Sequence, residues 1–304
     1  MRFLALLLLM AVPAFAQTSV KEYAAQCRDL VGDIPVFQCA DGASVPITID
    51  GQPVTDYVPD MTCDRPALLN NGPNSDGQCV PYSRILNLSN DKTQVAVMCR
   101  QKVIRGPDQM EFSEIDVIAH NPATGATCWF QATEDDVPVS GIDVPSPTQA
   151  IDNSFWNTPV EVAADGCGNC HDNDPFMYSP FVGQVWGQVP VNPMGAYFHV
   201  GDDFNDWPLT SLDMRDNTCT GCHRIGIDQT CGQLAEWATG IDIPPGADAA
   251  AASFPLSHSM PPEHGLTELA WNVIHKQSID DLRSCCLDNT QSFCVPTAIP
   301  GYRP

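Results

Sequence analysis

Thr158-Pro159-Val160-Glu161-Val162-Ala163-Ala164-Asp165-Gly166-Cys167-Gly168-Asn169-Cys170-His171 holds a helix start and a reactive cluster in one run. Thr158 can cap a helix. Pro159 then takes the first position, where its missing N–H costs nothing, and Glu161 the third, where its carboxylate can reach back to the cap. That helix runs into Cys167-x-x-Cys170-His171. The same pattern returns at Cys219-Thr220-Gly221-Cys222-His223. A Cys-x-x-Cys pair alone is shared by disulfide oxidoreductases and zinc sites. The histidine that follows directly, in both copies, narrows the reading.

Cys-x-x-Cys-His is the attachment pattern for c-type haem. Two intervening residues let both sulfurs reach the two vinyl groups of one porphyrin edge, and the next residue turns its imidazole to the iron as proximal ligand. On these two pentapeptides the chain resembles the dihaem c-type cytochromes, over about its last 140 residues. The resemblance implies two covalently bound haems. Cys167, Cys170, Cys219 and Cys222 would hold them, with His171 and His223 as iron ligands.

An iron with protein ligands on both faces moves electrons, whereas an open face can bind a small molecule. Met260-Pro261-Pro262 is similar to the axial-methionine loop of class I c-type cytochromes and precedes a helical pattern at residues 266–274. Met260 is therefore expected on the second haem, with His258 and His264 as alternatives. Its interval from His223 is shorter than usual in that family. For the first haem the expectation is His199, in Tyr197-Phe198-His199-Val200 between the motifs. Met194 and Met177 are alternatives, and an iron without a sixth protein ligand is left open. His120 and His275 read as structural or packing residues.

The rest of the composition fits an exported chain. Met1-Arg2, an apolar run and Ala14-Phe15-Ala16 read as a signal peptide over residues 1–16, and no later stretch approaches transmembrane length. The expected location is periplasmic or extracellular. Of 14 cysteines, four belong to the motifs, and the other ten read as disulfides. Local pairing suggests Cys27 with Cys39, Cys63 with Cys79, and Cys99 with Cys128; Cys231 would take one of Cys285, Cys286 or Cys294. The net charge of −23 disfavours nucleic acid and anionic membranes and suits a basic redox partner. The acidic run Asp202, Asp203, Asn205, Asp206 reads as a solvated turn, with calcium as the alternative.

The expected architecture is α+β, broken near Pro145-Ser146-Pro147. Residues 17–147 read as a β-rich, disulfide-stapled domain with an opening helix at 20–30. Hairpins are expected around Asp50-Gly51 and across residues 115–131. Residues 148–304 read as a loop-rich, mainly α, cytochrome c-like domain carrying both haems. Further helices are expected at 233–239 and 266–274, with Ser278 capping a last turn. No G-x-S-x-G, Walker A or H-E-x-x-H motif occurs, so no catalytic residue is assigned. The expected function is electron transfer between redox partners. The alternative is a dihaem enzyme of the peroxidase type, or a haem-based sensor or binding protein with one open haem. The first half offers a surface for self-association.

Overall fold

Ser19 caps helix α1 (Val20–Val31) through a capping box with Glu22, and Tyr23, Ala24, Cys27 and Val31 form its buried face. A computed structural model describes residues 18–134, 137–149, 154–177, 179–191, 194–247, 260 and 266–301. The expected signal peptide lies outside the described residues.

Among the described residues of the first half, nine strands follow α1: β1 (Ala43–Ser44), β2 (Thr48–Ile49), β3 (Gln52–Pro53), β4 (Arg84–Asn87), β5 (Gln94–Arg100), β6 (Glu111–Phe112), β7 (Glu114–His120), β8 (Ala126–Thr133) and β9 (Val139–Ser140). β2 and β3 form the expected hairpin, with Asp50 and Gly51 at φ 51° and 72°, as a tight two-residue turn requires. β7 and β8 form the second. The second half adds β10 (Phe198–His199), β11 (Thr210–Met214), β12 (Ile225–Gly226) and β13 (Cys294–Ala298). Its helices are α2 (Pro159–Ala164), α3 (Cys167–Cys170), α4 (Ala235–Ala238) and α5 (Glu268–Leu287).

The main sheet runs β1-β4-β5-β7-β8-β10. In its centre Val97, Val117 and Phe130 are in register, as are Ala96, Ile118 and Trp129, and Met98, Asp116 and Gln131. Period-two alternation sends the first row to the core under α1 and the other two to the opposite face. β5 and β7 show this alternation, but β8 is buried along almost its whole length. It carries α1 on one face and α2 on the other.

The boundary expected at residues 147 and 148 is crossed by this sheet, because β10 pairs in parallel with β8. Trp156, Val162, Tyr197, Phe204, Trp207 and Ile299 also join the core built by α1 and β5–β8. A second cluster forms where α5 meets the sheet of β12, β11 and β13.

Five disulfides form, as expected of an oxidising compartment. Cys63–Cys79 is the expected pair, and Cys231–Cys286 is one of the three offered. Cys285–Cys294 completes the set. The other two expected pairs, Cys27 with Cys39 and Cys99 with Cys128, are replaced by Cys27–Cys128 and Cys39–Cys99. Cys99 and Cys128 sit on β5 and β8 with β7 between them, and Cys99 stands opposite Ala132, four residues along β8 from Cys128; two strand spacings of about 10 Å plus that offset put them beyond disulfide reach. The bonds therefore pin α1 and the turn at Cys39–Asp41 onto the sheet instead of joining strands to each other.

α5 also differs from expectation. It runs unbroken past Ser278, which faces the loop at Asn217 and Thr218 instead of capping a new turn. Trp271, His275, Ile279, Leu282 and Cys285 are buried, whereas Leu269 and Val273, which share one apolar face by helical spacing, are exposed. The bonds Cys231–Cys286 and Cys285–Cys294 fix the rotation of the helix. Among the described residues no helix is long and apolar enough to cross a membrane.

Candidate functional site

The expected capping box forms at Thr158 and Glu161 and starts α2. Gly166, at φ 78°, turns the chain in the left-handed region and starts α3. Gln131 on β8 donates to the Asp165 carboxylate at 2.8 Å, and the Trp129 ring lies 4.9 Å from that of His171. These contacts lay the first motif along the outer face of β8. Gly168 faces Trp207 so closely that an added Cβ would stand 2.2 Å from the indole.

A cavity of about 440 Å³ opens beside the motif, within the roughly 300–1,000 Å³ range of cofactor sites. Cys167, Cys170 and His171 border it, facing Ala96, Met98, Asp116, Ile118 and Trp129 of the sheet. Its lining is largely aliphatic and aromatic. Burial raises the Cys167 thiol well above its ordinary value and the Cys170 thiol to about 11. Burial also lowers the His171 imidazole to about 4, against the opposing effect of the Asp174 and Pro175 backbone beside the ring. At neutral pH the site thus presents two protonated thiols and a neutral imidazole with a free lone pair. A disulfide oxidoreductase needs the reverse, a thiol lowered toward neutrality. Deeper on the sheet, Glu114 pairs with Arg100 at 2.9 Å and with Lys102. Burial and the neighbouring Glu114 raise the Asp116 carboxyl well above its ordinary value.

The second motif lies against the smaller cluster. Cys219 packs there in part and Cys222 is exposed. Asn217 orders the approach: its side chain accepts from Cys219 N–H at 2.9 Å and donates to the Ser278 carbonyl at 2.8 Å. His223 Nδ1 lies 3.0 Å from the Arg224 carbonyl. A proton on Nδ1 donating to that oxygen leaves Nε2 free to ligate a metal.

The residues after one motif grip those after the other. Asn173 donates to the Arg224 carbonyl at 2.7 Å, and Asp174 pairs with the Arg224 guanidinium. Asp172 accepts from Asp228 N–H at 2.7 Å and Thr230 Oγ1 at 2.6 Å. Gln229 N–H donates to the Asn169 carbonyl at 3.1 Å. The Arg224 carbonyl therefore serves both His223 and Asn173. Burial raises Asp172 and Asp174 to about 7 each. A Cβ at Gly226 would stand 2.0 Å from the Asp172 carboxyl carbon. Gly226→Ala is accordingly expected to lower stability by about 1–3 kcal/mol through overpacking, which denaturant unfolding measures.

The other expected ligands are scattered. His199 is buried beside Tyr197 and Trp207 and accepts from Trp129 Nε1 at 3.1 Å, and it does not border the cavity. Met194 is exposed, while Met177 borders the cavity. Met260 is half-buried and donates its N–H to the Ala238 carbonyl at 2.8 Å. His258 and His264 lie outside the described residues. His120 is buried with Nδ1 at 2.8 Å from Thr127 Oγ1, its imidazole lowered to about 4 by desolvation, and His275 packs on Trp271. Asp202 and Asp203 lie in a single turn.

Met98, Asp116 and Trp129, which strand pairing brings here, and the Arg224 clasp, which side-chain contacts between distant loops build, had no signal in the sequence. All ten cysteines outside the motifs are bonded, and the four motif cysteines are free thiols. Among the described residues no group of three or more His, Cys, Asp or Glu is placed to hold a metal ion, so the motifs do not pool into a zinc site. Compared with protein-family models, with curated proteins and with solved structures, the chain matches none of them.

Proposed function

We propose that this chain is an exported dihaem c-type cytochrome that passes electrons between redox partners. The observation that carries the reading is the clasp, which ties Asp172–Asp174 to Arg224–Thr230 and so keeps the two Cys-x-x-Cys-His sites adjacent. The donor set fits the group: two thiols and one neutral imidazole at the first motif, and a second such set with Nε2 of His223 left free.

Cys167, Cys170, Cys219 and Cys222 would hold the two haems through thioethers, each S–H adding across a vinyl double bond with no oxidant consumed. His171 and His223 would ligate iron, and Met260 is proposed as a further iron ligand at the second site. Bound haem supplies one-electron exchange between ferric and ferrous iron. The sheet of the first half supplies one wall of the cavity beside the first motif. The haem half, residues 148–304, thus leans on the β-rich half for a wall. The net charge of −23 steers a basic partner protein toward the surface.

The test is the optical spectrum of chain matured in a host that makes cytochromes c, with and without carbon monoxide. Two low-spin haems that ignore carbon monoxide are expected. His171→Ala and His223→Ala should each convert one haem to a high-spin form or lose it. A haem that binds carbon monoxide in the unaltered chain would contradict electron transfer alone and favour an enzyme or sensor with an open iron.

A further inference from the structure

We infer that Met98, on the cavity face of β5, is the sixth iron ligand at the first site; the inference rests on the haem reading of Cys167-x-x-Cys170-His171. A sixth ligand must be a soft or nitrogen donor and must approach from the wall opposite His171. Beyond the motif itself, among the described residues the cavity is bordered by two such side chains, Met98 and Met177.

Met177 belongs to the wrong wall. The chain leading to it lays the Asp174 and Pro175 backbone beside the His171 ring, while Asp172 to Asp174 are tied back to the second motif. It therefore comes off the segment that covers the proximal imidazole. His199 is screened by Trp129, whose indole N–H it accepts, and His120 is held by Thr127 at the end of β7. Neither borders the cavity.

Met98 comes from across the sheet. The first motif lies over β8, where Trp129 touches His171. Met98 is two strands away on the same face, in register with Asp116 and Gln131. Two strand spacings set its backbone about 10 Å from that of Gln131. Its neighbours in the strand on that face are Ala96 and Arg100; Arg100 is held by Glu114, and the small Ala96 leaves room on its own side for an unbranched, flexible thioether to swing. Through this placement the β-rich half supplies the ligand.

Met98→Leu keeps the volume and removes the sulfur; Met98→His restores a ligand of another kind; Met177→Leu is the comparison. The holoprotein is read by covalent haem count from its mass, by the far-red methionine–iron charge-transfer absorption, and by carbon monoxide binding. The expected result for Met98→Leu is two haems retained, one haem's share of that absorption lost, and carbon monoxide bound at one haem. Met98→His should close that iron again and lower its potential, because methionine ligation raises it. Two retained haems with an unchanged spectrum in Met98→Leu, or the loss appearing in Met177→Leu instead, would overturn the inference while leaving the haem reading intact. Absence of haem from the unaltered chain would overturn the haem reading itself, and this inference with it.

Discussion

A Cys167→Ser/Cys170→Ser chain is expected to carry one covalently bound haem instead of two, and to lose the structure around the first motif. The cavity there is about 440 Å³ and largely apolar. At about 24 cal/mol per Å³, holding such a void open would cost up to about 10 kcal/mol. That is comparable to the whole stability of an ordinary domain, about 5–15 kcal/mol. The walls must therefore collapse or let water in. The damage should be lopsided. The core face of the sheet is pinned to α1 by Cys27–Cys128 and to the turn at Cys39–Asp41 by Cys39–Cys99. Amide exchange should rise along α3 and the loop bearing Leu68 and Leu69, while β5 and β7 stay protected. Wild-type protection in that loop, together with a single haem, would show that the cavity needs no occupant.

Arg224→Leu should destabilise the chain by roughly 3–5 kcal/mol above neutral pH, because it leaves the buried Asp174 carboxylate without its cation. Asp174 is raised from 3.8 to about 7 by burial, and Arg224 opposes that rise. A carboxyl raised on folding binds its proton more tightly in the folded chain. Stability therefore falls as pH climbs from about 4 to about 7. Without Arg224 the value rises further. The deficit of the variant is then largest above pH 7 and shrinks toward about pH 5, where Asp174 carries a proton. Asp172 pushes in the same direction in both chains and does not alter the difference. Denaturant midpoints across this range read the effect, and Asp174→Leu added to Arg224→Leu should recover part of the loss. A deficit that grows as pH falls would contradict the assignment. The same variant removes the side-chain anchor of the segment after His223, so the coupling between the two proposed haems should weaken.

Local signals were legible in the sequence, and long-range ones were not. The capping box at Thr158 and Glu161, the turn at Asp50-Gly51 and the β7–β8 hairpin follow from residues close along the chain. So does the separation of the four motif cysteines from the ten that form disulfides. The disulfides Cys27–Cys128 and Cys39–Cys99 depend on α1 lying across the sheet, which no local pattern encodes. Leu269 and Val273 carry the same spacing as a buried face, yet the bonds at Cys285 and Cys286 turn them outward. His199 looked available because it stands between the motifs, but Trp129, distant in sequence, covers it. Met98 and the Arg224 clasp are products of register and of contacts some 50 residues apart along the chain, where periodicity carries no information.

The most direct measurement is the intact mass of the chain matured in a cytochrome c-producing host, under conditions that keep disulfides closed. The account predicts the polypeptide with five disulfides and two haem masses added. A mass showing two further disulfides, at Cys167 with Cys170 and at Cys219 with Cys222, and no haem would contradict it.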